Sequence, residues 1–216
     1  TGIGAKNNIL IKDAATLENT SRITAILLDK TGTLTEGKPK VTDIVSFNGF
    51  TEEDVMRYEA TVESGSNHPI AKAIVEKASL KKYKNVKEFK ILRGRGLEGK
   101  IENKIIVIGN KTLMNEKKIN VKGFEKIIEK FESEGKTTMI VTENNKVIGV
   151  IAVADAVKDD SAKAISLLNK EGYRTVMITG DNERTAKAIA KKVGINEVIA
   201  NVLPEDKVKK VEELQK

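Results

Sequence analysis

Ile23-Thr24-Ala25-Ile26-Leu27-Leu28-Asp29-Lys30-Thr31-Gly32-Thr33-Leu34-Thr35 is the stretch on which the fold turns. Residues 23–28 are a near-continuous apolar run with β-branched members, the pattern of a strand buried on both faces of a parallel sheet. Polar loop chemistry follows at once, from Asp29 to Pro39. A carboxylate at the carboxyl end of such a strand sits where open α/β sheets place their ligands. The small residues after it leave backbone N–H groups free to line an anion site. An aspartate there can attack phosphorus and form an aspartyl phosphate. The bland alternative is a loop aspartate that caps the next turn.

Working outward, Asp155 opens a second α/β stretch. A helix over about 160–171 ends at Gly172, and a strand, Thr175–Thr179, runs into Gly180-Asp181-Asn182. A helix carrying Ala186, Ile189, Ala190 and Val193 stops at Gly194; a short strand near 198–200 precedes a last helix from Pro204. This βαβ order predicts that strands 23–28 and 175–179 share one parallel sheet.

The middle reads differently. Residues 51–63 look helical, with Thr51 and Asp54 as a capping pair, and Pro69 suits the first position of a second helix. Val86–Leu92, Leu97–Ile101 and Lys104–Ile108 read as strands, the last two joined at Glu102–Asn103. Phe124, Ile127, Ile128 and Phe131 recur at helical spacing. A hairpin, Thr137–Thr142 and Lys146–Ala154, turns at Asn144–Asn145. The expected organisation is an α/β unit over 1–39 and 154–216, split by an α+β domain over 40–153.

Composition narrows the function. The 216 residues are 39% hydrophobic and 32% charged, ordinary for a globular protein. No apolar run is long enough to cross a bilayer. With no cysteine and one histidine, His68, neither a disulfide nor a soft-metal site is expected. Lys and Arg number 38 against 31 Asp and Glu, but lysines mix with glutamates throughout and no basic–aromatic cluster exists to stack bases. Nucleic acid is therefore not an expected partner, and an anionic small ligand is. Two motifs mislead. Gly94-Arg95-Gly96-Leu97-Glu98-Gly99 has dinucleotide-loop spacing, but a hairpin rather than a helix follows. Gly135-Lys136-Thr137 ends like a phosphate loop, but Lys130 stands where its first glycine belongs.

Asp29-Lys30-Thr31-Gly32-Thr33-Leu34-Thr35 resembles the phosphorylation signature of P-type ATPases, within the haloacid-dehalogenase-like fold. Phosphatases of that fold usually carry a general-acid Asp two residues after the nucleophile; here it is Thr31, which implies a long-lived acyl phosphate. Thr179-Gly180-Asp181 resembles the family's phosphate-binding segment, Lys207 its phosphate-neutralising lysine, and Asp155-Ala156-Val157-Lys158 its hinge segment. Ser66-Asn67-His68-Pro69 is similar to the S-E-H-P motif of the heavy-metal pumps, with Asn67 in place of Glu.

The resemblance implies ATP and Mg²⁺ as cofactors. Asp29 would be the nucleophile, with Lys30, Thr31, Thr33, Thr179 and Lys207 around the phosphoryl group and Gly180 and Asp181 beside it. Asp29 and the Thr31 carbonyl would hold Mg²⁺. Glu63, His68, Gly94, Gly96 and Asn110 would contact the nucleotide, with His68 against adenine and the glycines admitting it to the backbone. It implies a catalytic unit at the cytoplasmic face of a membrane, partnered by the actuator and transmembrane domains of a heavy-metal pump, with copper the expected ion, zinc, cadmium and cobalt as alternatives, and no heavy-metal site in these residues. The family's further Mg²⁺-binding carboxylates belong to a GDGxND segment not found up to Lys216, so these residues alone are expected to bind ATP but to form little phosphoenzyme. The alternatives are a soluble phosphatase of the same fold and a nucleotide-binding fragment without turnover.

Overall fold

The computed structural model describes residues 2–215. Helices α1 (Gly2–Lys6) and α2 (Ala14–Thr20) precede β1 (Ala25–Asp29), which starts later than the apolar run and takes in Asp29 itself. After a kinked turn over 30–34 come β2 (Lys40–Ser46), α3 (Glu52–Glu63), α4 (Pro69–Ala78), β3 (Val86–Leu92), β4 (Gly96–Ile101), β5 (Lys104–Gly109) and α5 (Lys111–Glu116). Then follow α6 (Glu125–Ser133), β6 (Thr137–Glu143) and β7 (Lys146–Ala154). The chain closes with α7 (Ser161–Lys170), β8 (Arg174–Ile178), α8 (Glu183–Val193), β9 (Glu197–Ile199), a 3₁₀ turn at Pro204–Asp206 and α9 (Lys207–Leu214).

The strands form two sheets. β1, β8 and β9 lie side by side and parallel, with Asp29 opposite Ile178. The other six are antiparallel in the order β2-β7-β6-β5-β4-β3. Alternation along β5 shows how the larger sheet is covered. Ile106 and Ile108 join a core with Val55, Met56, Ala60 and Val62 of α3 and Ile74 of α4. Val107 faces the other way, with Leu113 and Met114 of α5 and Ile128 and Phe131 of α6. The smaller sheet has its own core of Leu34, Ile165, Met177, Ala186, Ile189, Ala190 and Val193.

Local chemistry explains most boundaries. Thr51 and Asp54 form the anticipated reciprocal capping box on α3. Asn144 and Asn145 both have positive φ, the geometry a two-residue hairpin turn requires. Four elements have no counterpart in the sequence reading: α1, α2, β2 and α5. In β2 the period of two is broken by a register shift between Val41 and Asp43, and the strand lies at the sheet edge.

The core on the α6 face of the larger sheet meets that of the smaller sheet at α6 and α8. Glu132 on α6 is buried and accepts from Arg184 Nη1 at 2.8 Å and from Asn182 Nδ2 at 3.1 Å. Lys192 Nζ donates to the Glu134 carbonyl at 2.7 Å, closing the same seam.

Candidate active site

Asp29 ends β1 at the carboxyl edge of the parallel sheet, beside the exit of β8 into Thr179. Its Oδ2 accepts a hydrogen bond from Lys207 Nζ at 2.7 Å. Both side chains keep partial solvent access, 43% for Asp29 and 33% for Lys207, so an anion can reach the pair. Lys207 is delivered by the loop after β9, where Pro204 opens the 3₁₀ turn leading into α9.

The turn after Asp29 is fixed by its own residues and by the segment that follows β7. Thr31 is extended and Gly32 has φ 78° and ψ −13°, a left-handed conformation that favours glycine. Thr35, fully buried, donates to Asp155 Oδ2 at 2.6 Å and accepts from Gly32 N–H at 3.3 Å. Asp155 also accepts from Gly37 N–H at 3.2 Å and Lys38 N–H at 3.0 Å. Lys158 Nζ donates to the Gly32 carbonyl at 2.9 Å. Asp155 and Lys158 thus organise the turn; the D-x-x-K spacing was the signal for them, although neither was among the anticipated site residues. Thr33 lies exposed in this turn.

Lys30 faces inward. It is buried and ion-paired with Asp181, whose carboxylate also accepts from Thr137 Oγ1 at 3.0 Å and Thr179 Oγ1 at 3.2 Å. Lys30 and Asp181 therefore tie the β1 loop to the β8 loop and to β6. Removing either partner would leave an unpaired buried charge, the costly way to break such a pair. Thr179 is buried and Gly180 exposed beside it.

Of the anticipated nucleotide residues, Gly94, Gly96 and Asn110 lie together at one end of the six-stranded sheet, while Glu63 closes α3 and His68 opens α4. His68 is the N-cap of α4, its Nδ1 accepting from Ile70 N–H at 3.2 Å, which requires Nδ1 to be unprotonated. Desolvation of the ring disfavours the imidazolium and lowers its pKa below the ordinary value. Glu63, at the end of α3, is 5% exposed, and burial pushes its carboxyl up to about 7. Asn110 caps α5 by accepting from Leu113 N–H and donates to the Gly94 carbonyl at 3.0 Å, so it shapes the Gly94 loop.

The two glycines have different structural reasons. A Cβ on Gly96 would lie 2.0 Å from the Ile108 carbonyl oxygen, so close pairing of β4 with β5 already demands glycine. A Cβ on Gly94 would lie 2.4 Å from Leu203 Cδ2. Leu203 precedes Lys207 in the same loop, so the Gly94 end of the sheet rests against the segment that carries Lys207 to Asp29. The Gly94 loop and Asp29 are thus linked through the 203–207 segment, which touches both.

Residues 23–216 match the family model described as haloacid dehalogenase-like hydrolase, and the chain belongs to that class. The chain is 44% identical to a copper-exporting P-type ATPase of Staphylococcus saprophyticus and 40% identical to one of Bacillus subtilis, aligning over 100% of its own length with each. It spans about a quarter, 27%, of the length of these curated relatives. Among solved structures, the catalytic domain of the CPx-ATPase CopB-B, studied for its changes on nucleotide binding, superposes with a TM-score of 0.71 at 31% identity, over 95% of this chain and 72% of that one. A zinc-transporting PIB-type ATPase in its E2.Pi state gives 0.61 at 40% identity, over 95% of this chain and 34% of that one. Within the hydrolase class, the chain belongs with the catalytic domains of CPx-type, heavy-metal P-type ATPases.

Proposed function

We propose that this chain is the ATP-binding and phosphorylated unit of a heavy-metal pump, and that Asp29 becomes the aspartyl phosphate. The carrying observation is the Asp29–Lys207 pair at 2.7 Å, on an open turn at the carboxyl edge of a parallel sheet. The nucleotide sits between His68, Glu63 and the Gly94 loop, with its phosphates toward Asp29. The Asp29 carboxylate attacks the γ-phosphorus; the new O–P bond forms as the bond to the β–γ bridging oxygen breaks, and ADP leaves. Lys207 offsets the repulsion between carboxylate and phosphate by standing at hydrogen-bond distance from the attacking group. Thr33 and Thr179 flank the phosphoryl oxygens. With Thr31 where a phosphatase has its general acid, the acyl phosphate persists long enough to drive a conformational cycle.

Mg²⁺ fits the donors present: the Asp29 carboxylate and the Thr31 carbonyl are hard oxygens, the chemistry this cation selects. When bound it neutralises phosphate charge. The actuator and transmembrane domains of the pump are the partners, and the unit works on the cytoplasmic side. Copper is the transported ion, a reading supported by the copper-exporting relatives that align over the full chain.

The test uses a chimera in which this chain replaces the matching segment of the Bacillus subtilis relative. Acid-stable label from γ-labelled ATP is expected, and Asp29→Asn abolishes it because an amide is a poor nucleophile. Hydroxylamine-sensitive labelling that survives Asp29→Asn would overturn the assignment.

A further inference from the structure

α3 carries an acid where its packing calls for a hydrophobe. Val55, Met56, Ala60 and Val62 are buried on this helix, and Glu59 lies among them with 0% exposure. Neither carboxyl oxygen of Glu59 has a hydrogen-bond partner among the described residues. Buried polar groups in native proteins are nearly always partnered, so an orphan of this kind calls for a reason. An ionised carboxylate cannot persist there; burial and the nearby charge of Glu63 both favour the acid form. One helical turn onward stands Glu63, nearly buried, and its carboxyl also makes no hydrogen bond among the described residues. Residues at this spacing share a helix face with Cβ atoms about 5–6 Å apart. Side-chain rotation alone can therefore bring one carboxyl to the other.

We propose that Glu59 is a positioning residue for the base-reading acid: its protonated carboxyl turns to donate a hydrogen bond to the Glu63 carboxylate when Glu63 accepts from the exocyclic amine of adenine. The proposal rests on Glu63 lying in the nucleotide site, as put forward above. Before nucleotide binds, the Glu59 hydroxyl stays unpartnered at a cost in stability. Once the base arrives, Glu63 is a charged acceptor supported from behind, which suits the 6-amino group of adenine and disfavours the 6-oxo group of guanine. A ligand that leaves a buried polar group unpaired is rejected more strongly than one that merely fits an apolar pocket poorly.

The experiment measures ATP and GTP affinity by calorimetry, and thermal unfolding, on the 216-residue chain and its Glu59→Met, Glu59→Gln and Glu63→Leu variants. Glu59→Met is expected to unfold at a higher temperature yet to bind ATP about tenfold more weakly, the scale of a lost hydrogen bond to a charged group, with a smaller preference for ATP over GTP. Glu59→Gln, which keeps an N–H donor, restores ATP affinity. Wild-type affinity and base preference in Glu59→Met, with Glu63→Leu impaired, would overturn the role of Glu59 alone. Equal ATP binding by wild type and Glu63→Leu would overturn the nucleotide-site reading and this inference with it. A spectroscopic measurement needs no variant to fold. At about pH 8 the infrared band of protonated carboxyl belongs to buried acid, and ATP is expected to shift it to lower frequency; an unshifted band counts against the hydrogen bond.

Discussion

Glu63 makes the stability of this protein depend on pH in a direction opposite to that of most carboxylates. Its pKa rises on folding from the ordinary 4.5 to about 7, through burial. A carboxyl with a raised folded-state pKa contributes stability that is fully present below its unfolded pKa and is lost as pH rises through the folded one. At about 1.4 kcal/mol for each tenfold change in proton affinity, the shift corresponds to about 3 kcal/mol lost between about pH 4.5 and 7. Glu63→Gln keeps the shape and cannot ionise. The expected outcome is a stability difference, variant minus wild type, that grows by about 3 kcal/mol between pH 4.5 and 8 and then levels. The difference isolates Glu63 from groups that titrate in both proteins, such as His68, whose lowered pKa works the other way. Urea unfolding at about pH 5, 6, 7 and 8 measures it. Parallel pH profiles for the two proteins would show that Glu63 is solvated and that the helix end is more open than described.

Three further substitutions probe the rest of the site. Lys207→Met removes the cation at Asp29, and phosphoenzyme formation in the chimera should slow by about 10²–10³-fold, the scale of losing one transition-state donor; stopped-flow quench measures this. His68→Ala should weaken ATP binding by about 1–3 kcal/mol, the scale of a lost stacking contact, with calorimetry as the check. Gly96→Ala places a methyl 2.0 Å from the Ile108 carbonyl oxygen, so β4 must part from β5; a loss of about 1–3 kcal/mol is expected in urea unfolding, and unchanged stability would mean the pairing is looser than the geometry indicates.

The parallel sheet and the place of Asp29 at its carboxyl edge were legible because a buried parallel strand has a distinctive composition and its carboxyl end a fixed meaning. The capping box on α3 and the asparagine turn before β7 were equally local. What could not be read was anything that depends on distant partners. The Lys30–Asp181 pair joins two loops far apart in sequence, and nothing near Lys30 signals that its ammonium points inward. The edge strand β2 hides behind its register shift and its charges. Gly96 was legible as special, but its close approach to Ile108 is a property of strand pairing rather than of the motif. Glu59 was within reach of the sequence: it stands four residues from Val55, on the spacing that buries Val55 and Glu63 together. Its charge had concealed that position.

The central claim is that Asp29 carries the phosphate. The most direct measurement is acid-quench peptide mapping of the chimera after a single turnover with ATP, with borohydride reduction to mark the acyl phosphate. The account predicts one reduced site, at Asp29, with homoserine in its place, and none at Asp155 or Asp181, whose carboxylates are engaged with Thr35 and Lys30. Reduction at Asp181 or Asp155 with Asp29 untouched would contradict it.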